Sequence, residues 1–178
     1  MINYGPKELA AAFRTVRKNT LRIANDIPAD KYEFAPAPGA RNVSEQLRHI
    51  AYLNEWHYEF HKTQKIASMS ALNMGELRTK IRGKMTEKAD KAAIIAMLEK
   101  RGEEFAKWLE SLTPAMLNET YTDMKGENPK TRFEHIMSAK EHEMHHRGQL
   151  MVIERMLGIV PHLSREGPPP MPVASQTN

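Results

Sequence analysis

Four long stretches in which apolar residues recur at spacings of three and four constrain the fold of this chain more than any other feature. They run from Pro6 to Ile27, from Val43 to about Lys65, from Thr86 or Asp90 to Leu112, and from Thr131 to Leu157. That spacing places apolar side chains on one face of a helix. The chain lacks a convincing stretch of alternating apolar and polar residues. The pattern therefore predicts an all-α protein, built as a bundle of four amphipathic helices.

Capping signals indicate where these helices begin and end. Asn42 followed by Glu45, and Thr131 followed by Glu134, have the form of capping boxes at helix starts. Gly158 stands where the fourth helix should end. Glu45 is also a candidate metal ligand or hydrogen-bond acceptor, although its position favours the capping role.

Three connecting segments and a C-terminal tail lie outside these helices. Residues 28–41, PADKYEFAPAPGAR, are too rich in proline for a helix and predict an ordered connection. Residues 66–86 carry a weak helical pattern and predict an additional short helical segment. Residues 117–130 predict a polar loop or short hairpin. Residues 1–160 would then form one domain, and residues 161–178, which contain PPPMP, predict an extended or disordered tail.

Composition excludes several classes of protein. The chain has no cysteine, so disulfides, thiolate zinc sites, cysteine nucleophiles and iron–sulfur clusters are excluded. The net charge of +4 is dispersed, which argues against nucleic acid as a partner. No stretch approaches twenty apolar residues, and the first residues lack a signal-peptide core, so we expect a cytoplasmic protein without a membrane span.

Histidines interrupt the apolar face of the fourth helix. His142 and His146 are four residues apart and share the core face, and His135 and Gln149 lie on the same stripe. Buried polar groups without partners cost about 1–3 kcal/mol each, so this stripe predicts bonding partners for them. Two imidazoles at this spacing can bind one metal ion. His57 and His61 have the same spacing, so spacing alone does not rank the two pairs.

Two sequence motifs resemble those of the DinB superfamily. EHEMHHRGQL is similar to the family's HxxxHRGQ signature, and YEFAPAPGARNVSEQLRHIAYLNEW is similar to the connection into its second helix. The resemblance spans most of residues 7–160. It implies an up-down-down-up four-helix bundle, commonly a homodimer, with a divalent metal ion held by three histidines. These fall on His49, His142 and His146, whereas His57 and His61 have no counterpart in the motif.

The position of His49 depends mainly on this resemblance. A helical wheel places His49 beside Leu53, Trp56 and Phe60, away from the stripe that contains Leu47. Both faces of the second helix carry apolar residues, so a wide buried arc accommodates the assignment.

Three neutral imidazoles leave a coordination position open, which is typical of catalytic metal sites. Zinc is the first choice of metal, with nickel, iron and manganese as alternatives. A metal-bound water is the expected reactive group, and Gln149 and Arg147 are candidates for orienting a ligand or attracting an anionic substrate. Gln149 is equally well explained as a buried amide bonded to a neighbouring helix.

Two functions follow as hypotheses. The resemblance implies a metal-dependent enzyme acting on a small molecule, a transferase or isomerase that uses a low-molecular-weight thiol. A hydrolase is an equally conservative interpretation, because an open three-histidine site would support hydrolysis. The alternative is a non-enzymatic, stress-responsive metal-binding or structural dimer. A pocket that reaches the ion would favour the enzyme, and a closed site with a fourth protein ligand would favour the alternative.

Overall fold

The computed structural model describes residues 4–165, and within them an all-α fold with one small hairpin. The described α-helices and strands are α1 (Pro6–Asp26), α2 (Val43–Tyr52), α3 (Glu55–His57), α4 (Met74–Thr86), α5 (Lys91–Glu110), α6 (Pro114–Asn118), β1 (Thr120–Tyr121), β2 (Lys130–Thr131), α7 (Arg132–Met156) and α8 (His162–Arg165). The predicted four-helix bundle is confirmed. It is formed by α1, α5, α7 and the helical segment that begins with α2.

Contacts between the helices define their directions. Helix α5 runs antiparallel to α1. Arg14, in the first half of α1, bonds Glu110 at the C-terminal end of α5, and Lys91 at the N-terminal end of α5 bonds the carbonyl of Asn25 near the end of α1. Helix α7 runs parallel to α1, since Tyr4 contacts Phe133 at their N-terminal ends and Arg17 pairs with Glu143 further along. The α2 segment runs antiparallel to α7, because Gln46 bonds Gln149 whereas His61 bonds His135. The order is therefore up-down-down-up.

The second bundle helix is irregular. Helix α2 begins with the predicted capping box, in which Glu45 accepts a hydrogen bond from the backbone of Asn42 and Asn42 accepts one from that of Glu45. Glu45 therefore has the capping role. The helix is interrupted after Tyr52, resumes as α3, and continues as a π-helical segment over Tyr58–Thr63. Sequence periodicity predicted one helix through to about residue 65, because it does not distinguish α-helical from π-helical turns.

Apolar packing fills the bundle in two main clusters joined by a buried ion pair. One cluster draws residues from all four bundle helices, among them Ile23, Leu47, Leu98 and Leu150. The other contains Phe13, Phe105 and Ile136. Between them, Arg17 on α1 pairs with Glu143 on α7, and both side chains are buried. A third cluster, around Phe60 and Leu77, packs α4 against the π-helical segment.

The segments that connect the bundle helices largely have the structures that the sequence predicts. The polar segment before α7 forms the short antiparallel hairpin of β1 and β2, in which Thr120 pairs with Thr131. Residues 66–86 contain a 3₁₀ turn, Met69–Ala71, and the well-formed helix α4. None of the described helices is long and apolar enough to cross a lipid bilayer.

The start of the predicted tail is corrected by the structure. Residues 162–165, expected to be extended or disordered, form the helical turn α8 against the bundle. His162 is fully buried, and Arg165 pairs with Asp26 at the end of α1 with an N–O distance of 2.6 Å. These contacts hold α8 against the bundle, although α8 follows the proline at which the helical pattern of the sequence ends. The PPPMP stretch lies outside the described residues.

Candidate metal centre

Helices α2 and α7 bring the three predicted histidines together. His49 lies on α2, and His142 and His146 lie on α7. Each offers one ring nitrogen, and these three nitrogens lie within 4.8 Å of one another. The ring centroid of His49 is 5.4 Å from that of His142 and 4.5 Å from that of His146, and the latter two are 4.6 Å apart. We call these residues the first triad.

The local sequence explains this arrangement. His142 and His146 are one helical turn apart, so their rings project from the same side of α7. The capping box fixes the start of α2, which places His49 two turns into that helix. Because α2 and α7 are antiparallel neighbours, a single residue on α2 meets the pair on α7.

The burial of the first triad is uneven. His146 is buried, His49 is half-buried and His142 is exposed. The Nε2 atom of His146 and the Nδ1 atom of His49 are both inaccessible to solvent and have no hydrogen-bond partner among the described residues. Unpaired buried nitrogens are costly, and a metal ion shared by the three rings would bind such lone pairs. The donor set therefore suits a divalent ion.

All three imidazoles favour the neutral form. Burial lowers the pKa of His49 to about 3 and that of His142 to about 4, and it also lowers the pKa of His146. The positive charge of Arg41 adds to the effect on each ring. A neutral imidazole keeps the lone pair that a metal ion requires.

Two glutamines orient His146. Gln149 Oε1 lies 3.0 Å from His146 Nδ1 and accepts a hydrogen bond of 2.5 Å from Gln46 Nε2. The Gln46 amide also lies 2.6 Å from the same ring nitrogen, and Gln149 Nε2 lies 3.1 Å from His145 Nε2. When His146 Nδ1 carries the proton, it donates to Gln149 Oε1 and leaves the Nε2 lone pair free, and the Gln46 amide then donates to Gln149 Oε1 and not to the ring. Such hydrogen bonds fix the tautomer of a metal-binding histidine.

A cavity lined by two arginines and one carboxylate, that of Glu45, opens beside His49. It has a volume of about 460 Å³, and its walls include His49, Arg41 and Arg82. Arg41 also lines a second cavity of about 650 Å³, together with Gln46 and Gln149. Both openings therefore place an arginine side chain near the triad.

Sequence reasoning pointed to some of these neighbours and missed others. Gln149 is exposed and bonds both His146 and Gln46 on the neighbouring helix α2, whereas Arg147 is half-buried on α7 and the arginines lining the cavity beside His49 are Arg41 and Arg82. Gln46 was also missed, although it lies one turn before His49 on the same helix. Arg41 ends a proline-rich connection and Arg82 lies in the weakly patterned segment, so neither had a periodic signal.

Comparison with known proteins gives a consistent family assignment. Residues 12–150 match the model of the DinB superfamily. No curated sequence matches the chain significantly.

Two solved structures from Bacillus subtilis resemble this fold. One is the DinB-like protein YjoA, at 21% identity and a TM-score of 0.64, with 85% of this chain and 92% of that chain covered. The other is YfiT, described as a probable metal-dependent hydrolase with an unusual four-helix bundle topology. It is 13% identical, with a TM-score of 0.65 and coverage of 86% and 88%. These likenesses support the fold, and the family match covers well over half of the sequence, so the chain belongs to the DinB superfamily.

Proposed function

We propose that the protein is a metal-dependent enzyme that holds a divalent ion on His49, His142 and His146 and acts on a small anionic molecule. Zinc is the ion that we expect, because three imidazoles and an open position are typical of catalytic zinc sites. The non-enzymatic alternative is less well supported, since a cavity reaches the triad.

One observation carries the proposal. Three neutral imidazoles converge, two of their buried nitrogens have no partner among the described residues, and the exposed side of His142 leaves the triad accessible. A structural zinc site would instead be closed by a fourth protein ligand. The arrangement is therefore that of a site open to substrate.

The surrounding residues define the chemistry. A divalent ion in this site would act as a Lewis acid and lower the pKa of water or a thiol bound there. Gln149 would hold His146 in the tautomer that binds the ion. Arg41 and Arg82 would bind the negative charge of the substrate and orient its reactive group toward the triad.

Hydrolysis is the reaction that we favour. YfiT is described as a probable metal-dependent hydrolase, and an open three-histidine site supports that chemistry. Transfer or isomerisation with a low-molecular-weight thiol is the second candidate, because a thiolate would also occupy the open position of the ion. The homodimer expected from the family resemblance stays a prediction.

Metal analysis of untagged protein tests the site. We expect close to one divalent ion per chain as purified, and loss of that ion in His146→Ala, because this change removes a triad histidine whose Nε2 is buried and has no partner among the described residues. His145→Ala is the matched control, since His145 is the next residue on α7 and is exposed. Equal metal content in both variants would contradict the proposal.

Activity assays separate the two reactions. Zinc-loaded protein is screened with carboxylate-bearing esters and amides, and Arg41→Gln should raise KM for any substrate by weakening anion binding. Thiols are tested with cobalt-loaded protein, in which thiolate binding adds charge-transfer absorption. Absorption without hydrolysis would favour the thiol-dependent reaction, and neither signal would favour the non-enzymatic alternative.

A further inference from the structure

A second group of three histidines lies further along the same two helical segments. His57 ends α3, His61 lies in the π-helical segment and His135 lies on α7. Their ring nitrogens also lie within 4.8 Å of one another. The ring centroid of His135 is 4.9 Å from those of both His57 and His61. We call these residues the second triad.

The two triads have inverted compositions. Apart from His145 on α7, each helical segment carries one histidine followed by a pair four residues apart: His49, His57 and His61 on one, and His135, His142 and His146 on the other. Because the segments are antiparallel, the pair on each faces the single histidine on the other. The first triad takes two ligands from α7, and the second takes two from the α3 and π-helical segment.

Hydrogen bonding accounts for only part of the second triad. His61 Nε2 lies 2.9 Å from His135 Nδ1, so these two rings share a hydrogen bond. His57 is 5% exposed, and its Nδ1 is buried without a partner among the described residues. A buried imidazole with an unpaired nitrogen is costly. The contacts present therefore leave a ligand-binding capacity unused.

Burial keeps all three rings neutral. It lowers the pKa of His61 to about 3 and that of His135 to about 4, and it lowers the pKa of His57 well below its usual range. The charged groups that contribute are Arg132 at His61 and Lys130 at His135. Neutral imidazoles are the form that binds a metal ion.

Arg132 competes with an ion for His61. Its Nη1 lies 3.1 Å from His61 Nδ1, so in this arrangement Nδ1 accepts and the His61 proton resides on Nε2. To bind an ion through Nε2, His61 must move that proton to Nδ1, and Arg132 Nη1 must turn away. The guanidinium keeps its bonds to Glu119 and to the carbonyl of Ile66. We therefore expect binding here to be weaker than at the first triad.

We propose that His57, His61 and His135 form a second site for a divalent cation of the zinc type, filled after the first triad. Zinc and its analogue cobalt suit a set of imidazole ligands. A cavity of about 270 Å³ is lined by His57 and His135 of the second triad and by His142 of the first, with Arg78 also on its wall. Ions would enter the second site through this cavity.

Cobalt titration of metal-free, untagged protein tests the second site. Wild type should bind two equivalents after gel filtration, and His135→Asn should bind one with unchanged far-UV circular dichroism. His146→Ala should also bind one, with the visible absorption of the second site alone, whereas the control His145→Asn should bind two. Saturation of wild type at one equivalent, or two equivalents in His135→Asn, would overturn the proposal.

Arg132→Met gives a readout that misfolding cannot mimic. Removing the competing charge and donor should lower the dissociation constant of the second equivalent by roughly tenfold and leave the first unchanged. Weaker or unchanged binding of the second equivalent would contradict the role of Arg132 and the site. If His146→Ala binds as much cobalt as wild type while His135→Asn loses an equivalent, the second site stands and the proposed function fails.

Discussion

Replacing Glu143 by glutamine should destabilise the bundle more than any surface charge change. Glu143 is fully buried on α7, and its carboxylate accepts hydrogen bonds from Arg17 at 2.8 and 3.0 Å and from Thr20 at 2.8 Å. Arg17 is 4% exposed and donates further to the carbonyl of Leu98. The glutamine would leave the guanidinium buried without a negative partner and turn an amide donor toward it.

The expected size of the loss follows from this burial. Removing one partner of a buried, hydrogen-bonded ion pair costs about 3–5 kcal/mol, because the remaining charge has lost its solvation. For a chain of this length, each kcal/mol lowers the melting temperature by about 2–4 °C. Glu143→Gln should therefore lower it by roughly 6–20 °C. The double change Arg17→Met with Glu143→Leu removes both charges and should recover most of the stability.

Urea unfolding followed by circular dichroism measures these differences. The protein should be metal-free, with a chelator present, because a bound ion would add stability by mass action. Glu103→Gln is the control, since it breaks the exposed pair with Arg14 and should change the unfolding midpoint far less. Two results would refute the reasoning. One is a loss of less than about 1 kcal/mol in the free energy of unfolding of Glu143→Gln. The other is a double variant whose loss equals the sum of the losses of its two single variants.

Two further predictions concern other buried positions. Gly102→Ala should lower the melting temperature despite the better helix propensity of alanine, because its Cβ would lie 2.8 Å from Cγ of Arg17, whereas Gly83→Ala on α4 meets nothing within 4 Å and should not. Burial raises the pKa of Glu154 from 4.5 to about 7, so the folded state holds this proton more tightly and stability falls as pH rises through that range. Glu154→Gln should therefore raise the free energy of unfolding at pH 8 and leave it nearly unchanged at pH 4, and equal effects at both pH values would contradict this.

The fold could be predicted from the sequence because its determinants are local. Spacing of apolar residues and capping boxes gave the four bundle helices, and the observed bounds of α1 and α7 differ by only one or two residues from those expected. The helical turn α8 was missed because its contacts are long-range: Arg165 meets Asp26 at the far end of the sequence. Periodicity carries no information about such a pair.

The first triad could be predicted only in part from the residues themselves. His142 and His146 share a helix face, which spacing reveals, but pairing them with His49 requires knowing that α2 and α7 are antiparallel neighbours. The motif resemblance supplied that knowledge. The second triad matches no motif. Its geometry depends on the π-helical segment that includes His61. The residues of a π-helix repeat at a spacing that an α-helical wheel does not represent.

The different burial of the two triads assigns them different roles if both bind metal. His142 is exposed, and the cavity with Arg41 and Arg82 reaches His49, so an ion in the first triad would be accessible to the proposed substrate. In the second triad, His57 and His61 are buried, and Arg132 opposes the charge of an ion. An ion there would crosslink the π-helical segment to α7, which stabilises the fold that holds the first triad. Substrate chemistry would thus take place at the first site, and the second would act through stability.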